Sequence, residues 1–194
     1  MELTIQHQDS YSRGELLLRT FFGWLYILIP HAIALWVMGI VAAIISFIAF
    51  WAVLFTGKYP KGMFDFMVGV MAWGMRVQAS FMNLVDGYPE FGLDPQSGEK
   101  VKLSVEYPES LRRGLLLLRV FLGWLYVGIP HVIVLGLRMI VVFVIWFLAW
   151  WVVLFTGNYP QSWHDFVVGT YRWSTRVAVY MSFMTDVYPP FSAD

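Results

Sequence analysis

The chain has 194 residues, of which 59% are hydrophobic, 19% aromatic and 13% charged, with zero formal net charge and no cysteine. Soluble domains carry roughly a quarter charged residues, so this composition points to a membrane protein. It excludes disulfides, thiolate metal sites and cysteine nucleophiles, and the lack of any basic excess gives no sign of a nucleic-acid partner.

Residues 1–94 lie over 101–194 without a gap: RGELLLRTFFGWLYILIPH over RGLLLLRVFLGWLYVGIPH, WAVLFTGKYP over WVVLFTGNYP, DGYPEF over DVYPPF. Roughly 43 of about 94 paired positions are identical, which marks one architecture built twice. The chain divides into a first membrane repeat at 1–94, a linker at 95–110 that carries the strand opening repeat two, and a second membrane repeat at 111–194. The polar opening MELTIQHQDS predicts no cleavable signal peptide.

Each repeat opens on an alternating stretch, Leu3, Ile5 and His7 in one copy and Val101, Leu103, Val105 and Tyr107 in the other. Period-two alternation reads as a strand, and the two strands are expected to pair as a short ribbon leaning on other elements. Next comes 11–29 and its copy 111–129, with Ser10 and Ser110 as N-caps and arginines set among leucines and aromatics. Its apolar run of about 14 residues is short for a span, so a helix in the headgroup region is expected, broken at Pro30 and Pro130. His31–Thr56 and His131–Thr156 are long apolar runs. At 1.5 Å per residue each gives a helix of about 39 Å, enough to cross a hydrocarbon core of about 30 Å. Pro30 and Pro130 suit the first helical turn, Gly57 and Gly157 the C-terminal cap, and Pro60 and Pro160 the stop. The last stretches, roughly 62–86 and 162–186, are amphipathic. They either return through the membrane or lie along the far interface.

Arg13, Arg19, Lys100, Lys102, Arg112, Arg113 and Arg119 flank the starts of the repeats, and only Lys58 and Lys61 lie near the LFTG-x-YP turns. This bias puts the N-terminus and the linker in the cytoplasm. Both repeats then start on the same side, which favours an even number of crossings each. The expected fold is an all-α membrane protein: a duplicated helical hairpin with four spans, interfacial amphipathic helices and a short cytoplasmic β ribbon.

The block W-x-V-L-F-T-G-x-Y-P, followed by D-F-x-V-G-x-x-x-W-x-x-R-V and D-x-Y-P-x-F, resembles the DUF4389 family of bacterial membrane proteins, and Y-P-E-S-L-R-R…I-P-H in repeat two is similar to that family's opening. The resemblance covers nearly the whole chain, once per repeat. It implies a bacterial inner-membrane location and brings no activity with it. Repeat one departs from the pattern at Ala72, where repeat two has Arg172, and at Glu90, where repeat two has Pro190.

Three sets of residues could carry chemistry. His31 and His131 follow a proline at equivalent helix starts; facing each other across a two-fold axis they could ligate a haem b iron, whereas singly they would bond a carbonyl or a lipid phosphate. No second histidine follows three or four residues on, so a compact metal site is not expected. Asp65, Arg76, Asp165, Arg172 and Arg176 form a polar stripe that reads as crosswise Asp–Arg pairing, as aspartates placed at helix N-termini, or as an ion pathway. Arg138, opposite Met38, breaks the symmetry inside the second long helix. It calls for a lipid phosphate, an acidic partner or another subunit, or it snorkels to the interface. No phosphate loop, triad or metalloprotease motif is present in the sequence.

The expected function is therefore that of a non-enzymatic inner-membrane protein without a cofactor, an accessory or scaffolding subunit packing against other membrane proteins and lipid. The alternatives are a small ion or lipid transporter using the Asp/Arg stripe, and a redox subunit holding haem between His31 and His131.

Overall fold

The computed structural model describes residues 1–98 and 100–194. Repeat one contains β1 (Glu2–Ile5), α1 (Arg13–Gly23), a π-helical turn (Trp24–Leu28), α2 (Ile29–Thr56) and α3 (Lys61–Phe81). Repeat two contains β2 (Val101–Ser104), α4 (Arg113–Gly123), a π-helical turn (Trp124–Gly128), α5 (Ile129–Thr156) and α6 (Gln161–Met181).

The expected break at the prolines does not occur. Residues Arg13–Thr56 and Arg113–Thr156 each form one continuous 44-residue helix. A proline inside a helix removes one N–H and pushes its ring toward the carbonyl four residues back. Here the π turn loosens the coil ahead of the proline, with the Ile29 N–H donating to Trp24 O, five residues back. The carbonyl that Pro30 cannot serve, Tyr26 O, accepts instead from the Tyr88 hydroxyl at 3.1 Å, and Tyr126 O accepts from Tyr188 at 3.2 Å. The interfacial helix and the long helix expected as separate pieces are thus a single rod.

Capping also differs from expectation. Ser12, not Ser10, caps α1, its Oγ accepting from the Glu15 N–H at 3.3 Å. In repeat two the cap residue is Arg112 rather than Ser110, and it has no side-chain cap of its own. In both copies an aspartate from the far end of the repeat accepts from the cap residue's own N–H: Asp86 Oδ2 takes the Ser12 N–H at 2.6 Å and Asp186 Oδ2 takes the Arg112 N–H at 2.7 Å.

After each long helix, Gly57 and Gly157 turn in the left-handed region (φ 72° and 76°), where a side chain would be strained. Pro60 and Pro160 then start α3 and α6, which fold back against α2 and α5. The result is two tandem hairpin-like units. Among the described residues two helices, not the expected four, are long and apolar enough to cross a membrane. α3 and α6 are less apolar, carrying Asp65, Arg76, Asp165, Arg172 and Arg176, and each buries ten of its 21 residues.

The two long helices run antiparallel past each other, and each repeat's start closes the other's helix end. Leu111 N–H donates to Gly57 O at 2.7 Å and Tyr11 N–H to Gly157 O at 2.8 Å. Arg113 donates to Phe55 O at 2.8 Å and Arg13 to Phe155 O at 3.1 Å, placing a cation at each negative helix terminus.

The strands pair antiparallel with Leu3 opposite Leu103 and Ile5 opposite Val101. Leu3, Ile5, Val101 and Leu103 point inward onto α3 and α6, while Glu2, Thr4, Lys102 and Ser104 face out. This makes three layers: long helices, then α3 and α6, then the ribbon. Exposed apolar side chains are confined largely to the first layer. Apart from Tyr88, Phe91, Val187, Tyr188 and Phe191, every exposed large apolar side chain lies on the two long helices. Each long helix turns a narrow stripe inward, Leu16, Arg19, Gly23, Ile27 and His31 passing on to Ala49 and Val53 in repeat one.

Candidate functional site

The two identical motifs, I-P-H and D-x-Y-P-x-F, meet in space in each repeat. After α3 the chain doubles back along the inner face of the long helix and fastens to it at three points. At the first, Arg19 donates to Ser80 O (2.8 Å), Val85 O (2.6 Å) and Asp86 Oδ1 (2.6 Å), and its Nε reaches Glu15 O at 3.3 Å. At the second, Tyr88 holds Tyr26 O beside the proline. At the third, Phe91 stacks on the His31 imidazole, with centroids 3.9 Å apart and planes 15° apart.

Repeat two repeats the clasp. Arg119 donates to Tyr180 O at 2.9 Å, to Thr185 O at 2.7 Å and to the Asp186 carboxylate, and Phe191 stacks on His131 at 4.1 Å. Both arginines are nearly sealed, at 5% and 2% exposure. Arg19 and Arg119, which in the sequence stand among the charges flanking the repeat starts, are thus each joined to the aspartate of their own D-x-Y-P-x-F motif. Their recurrence at the same offset in both copies was the available signal that each pair is joined.

His31 and His131 are fully buried, and their ring contacts all come from their own repeats. Trp73 Nε1–H donates to His31 Nδ1 and Trp173 Nε1–H to His131 Nδ1, each at 2.9 Å. A nitrogen that accepts carries no proton, so the N–H of each neutral imidazole is on Nε2. Neither nitrogen then offers a lone pair: Nδ1 is occupied and Nε2 is protonated. These rings do not fit an iron held between them, and neither is available as a general base. Among the described residues no three histidine, aspartate or glutamate side chains converge as metal ligands.

The polar stripe is not brought together crosswise. Asp65 pairs with Lys61 on the exposed start of α3, and Asp165 accepts from Gln161 at 2.8 Å. Arg76 instead sits in a cradle of carbonyls on its own returning segment: Glu90 O at 3.3 Å, Gly92 O at 2.5 Å and Asp94 O at 2.8 Å. Burial pulls its pKa down, against the opposing pull of Glu90 and Asp94. Arg176 reaches the Asp194 carbonyl. Arg172 donates to Leu3 O and Ala193 O, both at 3.3 Å, tying α6 to β1 across the repeats.

Arg138 has an intramolecular answer to its depth. Its Nε donates to Thr170 Oγ1 at 3.0 Å, its Nη2 to Phe166 O at 3.3 Å, and the guanidinium lies 4.2 Å from the Phe166 ring centroid. Thr170 stands where repeat one has Val70, as Arg138 stands for Met38, so the two asymmetric changes complement each other.

A second asymmetry was missed in the sequence. His7 bonds Tyr159 O at 2.7 Å and meets the edge of His164 at 5.0 Å, where repeat one has Tyr107 and Phe64 in edge contact at 5.1 Å. Both ring nitrogens of His164 lack hydrogen-bond partners. Burial, with His7 beside it, pulls its pKa down to about 4 although Asp165 opposes the shift.

Chemically, the clasps bind the chain to itself. A family model described as "Domain of unknown function (DUF4389)" matches residues 15–92 and again residues 117–193. No curated protein and no solved structure matches the chain. The two matched segments coincide with the two clasped units, and the chain belongs to the DUF4389 family as two tandem copies.

Proposed function

We propose that this protein is a non-enzymatic membrane-embedded accessory or scaffolding subunit of a bacterial inner membrane, with the N-terminus and linker on the cytoplasmic side. The observation that carries the reading is the uncovered apolar face of the long helices. In repeat one it runs from Leu17 to Phe55 and includes Phe21 (63% exposed), Trp36 (69%) and Phe55 (70%). A contiguous apolar surface of this size on a monomer calls for lipid or protein cover.

Its length argues for how the molecule lies. From Leu17 to Phe55 the face is about 57 Å long at 1.5 Å per residue, against a hydrocarbon core of about 30 Å. A helix would need to incline by roughly 58° to fit, beyond the usual range of tilts. The layered polarity supports the same arrangement: the long helices lie in the bilayer close to its plane, and α3, α6 and the ribbon face the cytoplasm. Both repeats then begin on one side, in agreement with the lysines and arginines that flank their starts.

Single cysteines at Lys61 and Gln161 test the arrangement, because the antiparallel long helices end at opposite ends of the molecule. Labelling of both from the cytoplasmic side is expected, whereas labelling from opposite sides means that the helices cross. Purification in mild detergent tests the function. A stoichiometric larger assembly is expected, and a monomer under all extraction conditions contradicts a scaffolding role.

A further inference from the structure

We infer that a groove beside the returning segment of repeat two binds an extended, lysine-bearing segment of a partner protein, as the linker binds to repeat one. This rests on the scaffolding reading and gives it a place and a chemistry for one partner contact. Repeat one shows the bound arrangement. Gly98 of the linker is buried against Arg76, so closely that an added Cβ would lie 3.1 Å from Arg76 Cδ and 2.9 Å from Val101 O. Lys100 O accepts from the Gln6 N–H at 2.8 Å, and Lys100 Nζ donates to Asp86 O at 3.1 Å. One residue thus makes a main-chain bond and a charge-assisted side-chain bond to the same repeat.

Repeat two presents the same receiving surface as an open groove of about 490 Å³. It is lined by Arg176, Asp186, Tyr188 and Pro190, where repeat one has Arg76, Asp86, Tyr88 and Glu90 against the linker. The groups that hold Lys100 in repeat one have their counterparts in the Glu106 N–H and Asp186 O, and among the described residues no hydrogen bond reaches either. Burial differs in the same sense. Arg76 and Val85 are buried, whereas Arg176 and Thr185 are partly exposed.

Charge selects the occupant. The charged side chains of the lining are Glu106, Glu109 and Asp186 against Arg176, and Asp186 is already paired with Arg119. Glu106 stands where repeat one has the neutral Gln6. Glu106 and Glu109 are exposed, and among the described residues neither has a cation partner. A rim of this sign attracts an ammonium and repels a carboxylate or phosphate. An ammonium by itself uses the carboxylates and Asp186 O and leaves the Glu106 N–H unserved. A main-chain carbonyl beside the lysine serves it, as Lys100 does for Gln6. The fitting ligand is therefore an extended peptide rather than a lipid amine or a polyamine.

The test uses the full chain in detergent micelles and a fluorescent peptide that copies residues 95–101, with binding read by anisotropy. Saturable one-to-one binding is expected. Norleucine in place of the peptide's lysine should weaken it by about tenfold to a hundredfold, the worth of a hydrogen bond from a charged group. Glu106→Gln combined with Glu109→Gln should weaken the lysine peptide by about threefold to tenfold and leave the norleucine peptide unchanged. Asp9→Asn, on the side the linker already covers, should change neither. Binding that ignores the lysine or the two glutamates overturns the inference, as does the absence of saturable binding up to about 1 mM peptide. A dimer that the peptide dissociates places a second copy's linker in the groove and overturns it as well. A stoichiometric assembly without peptide binding removes the groove and leaves scaffolding through the apolar face standing. A monomer that binds the peptide with the stated lysine and glutamate dependence removes the scaffolding role and keeps the groove.

Discussion

Replacing Arg119 by methionine should cost far more than replacing Arg113, although both are arginines near the start of the same helix. Arg119 is 2% exposed and serves Tyr180 O at 2.9 Å and Thr185 O at 2.7 Å in addition to Asp186. Methionine keeps the aliphatic stem and removes every donor. Two carbonyls lose their partner, and a mostly buried carboxylate, 19% exposed, loses its counter-charge. Breaking a buried pair in this way costs about 3–5 kcal/mol. For a chain of this size each kcal/mol moves the melting temperature by about 2–4 °C, so the expected fall is roughly 6–20 °C. Arg113 makes an exposed bond to Phe55 O at 2.8 Å, and its loss should cost about 0.5–1 kcal/mol. Unfolding in detergent, followed by near-ultraviolet circular dichroism, measures both. Adding Asp186→Leu to Arg119→Met should recover part of the loss, because it removes the stranded charge. If the two arginine variants melt within 1–2 °C of each other, the clasp does not hold the returning segment and the reasoning fails.

Gly69→Ala should destabilise by about 1–3 kcal/mol by overpacking, because its Cβ would lie 2.2 Å from Leu93 O, a backbone atom. Gly74→Ala, with nothing within 4 Å, should instead stabilise by up to about 1 kcal/mol through helix propensity, and denaturant midpoints distinguish the two. His164 has a native pKa of about 4 against about 6.5 when unfolded. The unfolded chain thus takes up a proton first as pH falls; stability is intact above about pH 6.5 and declines toward pH 4 by about 3 kcal/mol. His164→Phe, the residue of the other copy, should flatten the unfolding midpoint across that window, and an unchanged slope would assign the acid sensitivity elsewhere. Trp73→Phe strands the buried His31 Nδ1 at a cost of about 1–3 kcal/mol. Hydrogen exchange should report faster opening of 86–94; unchanged protection there would separate the indole bond from the clasp.

The polar stripe shows how far pattern reading reaches. Spacing put Asp65, Arg76 and their copies on amphipathic helices, and those helices form over nearly the expected residues. What the arginines bond could not be read, because Arg76 is served by backbone carbonyls 14–18 residues on, and carbonyls carry no side-chain signature. Arg138 is similar. Its threonine partner lies 32 residues away, and only the paired departure of Met38 and Val70 from the other copy hints at the contact.

The sequence by itself determined the duplication, the paired strands, the reversal at Gly57–Pro60 and the apolar character of the long helices. Each of these follows from local chemistry: side-chain alternation, the left-handed freedom of glycine, the missing N–H of proline, and hydropathy. Only the tertiary structure decided that the helix runs on through Pro30, that the start of each repeat seals the end of the other's helix, and that Arg76 is buried in α3 while Asp65 stays exposed at its start. A proline breaks or spares a helix according to what receives the carbonyl it abandons, and here the receiver is Tyr88, 62 residues away. An apolar residue is core or membrane surface according to what packs on it, and packing is a property of the whole chain.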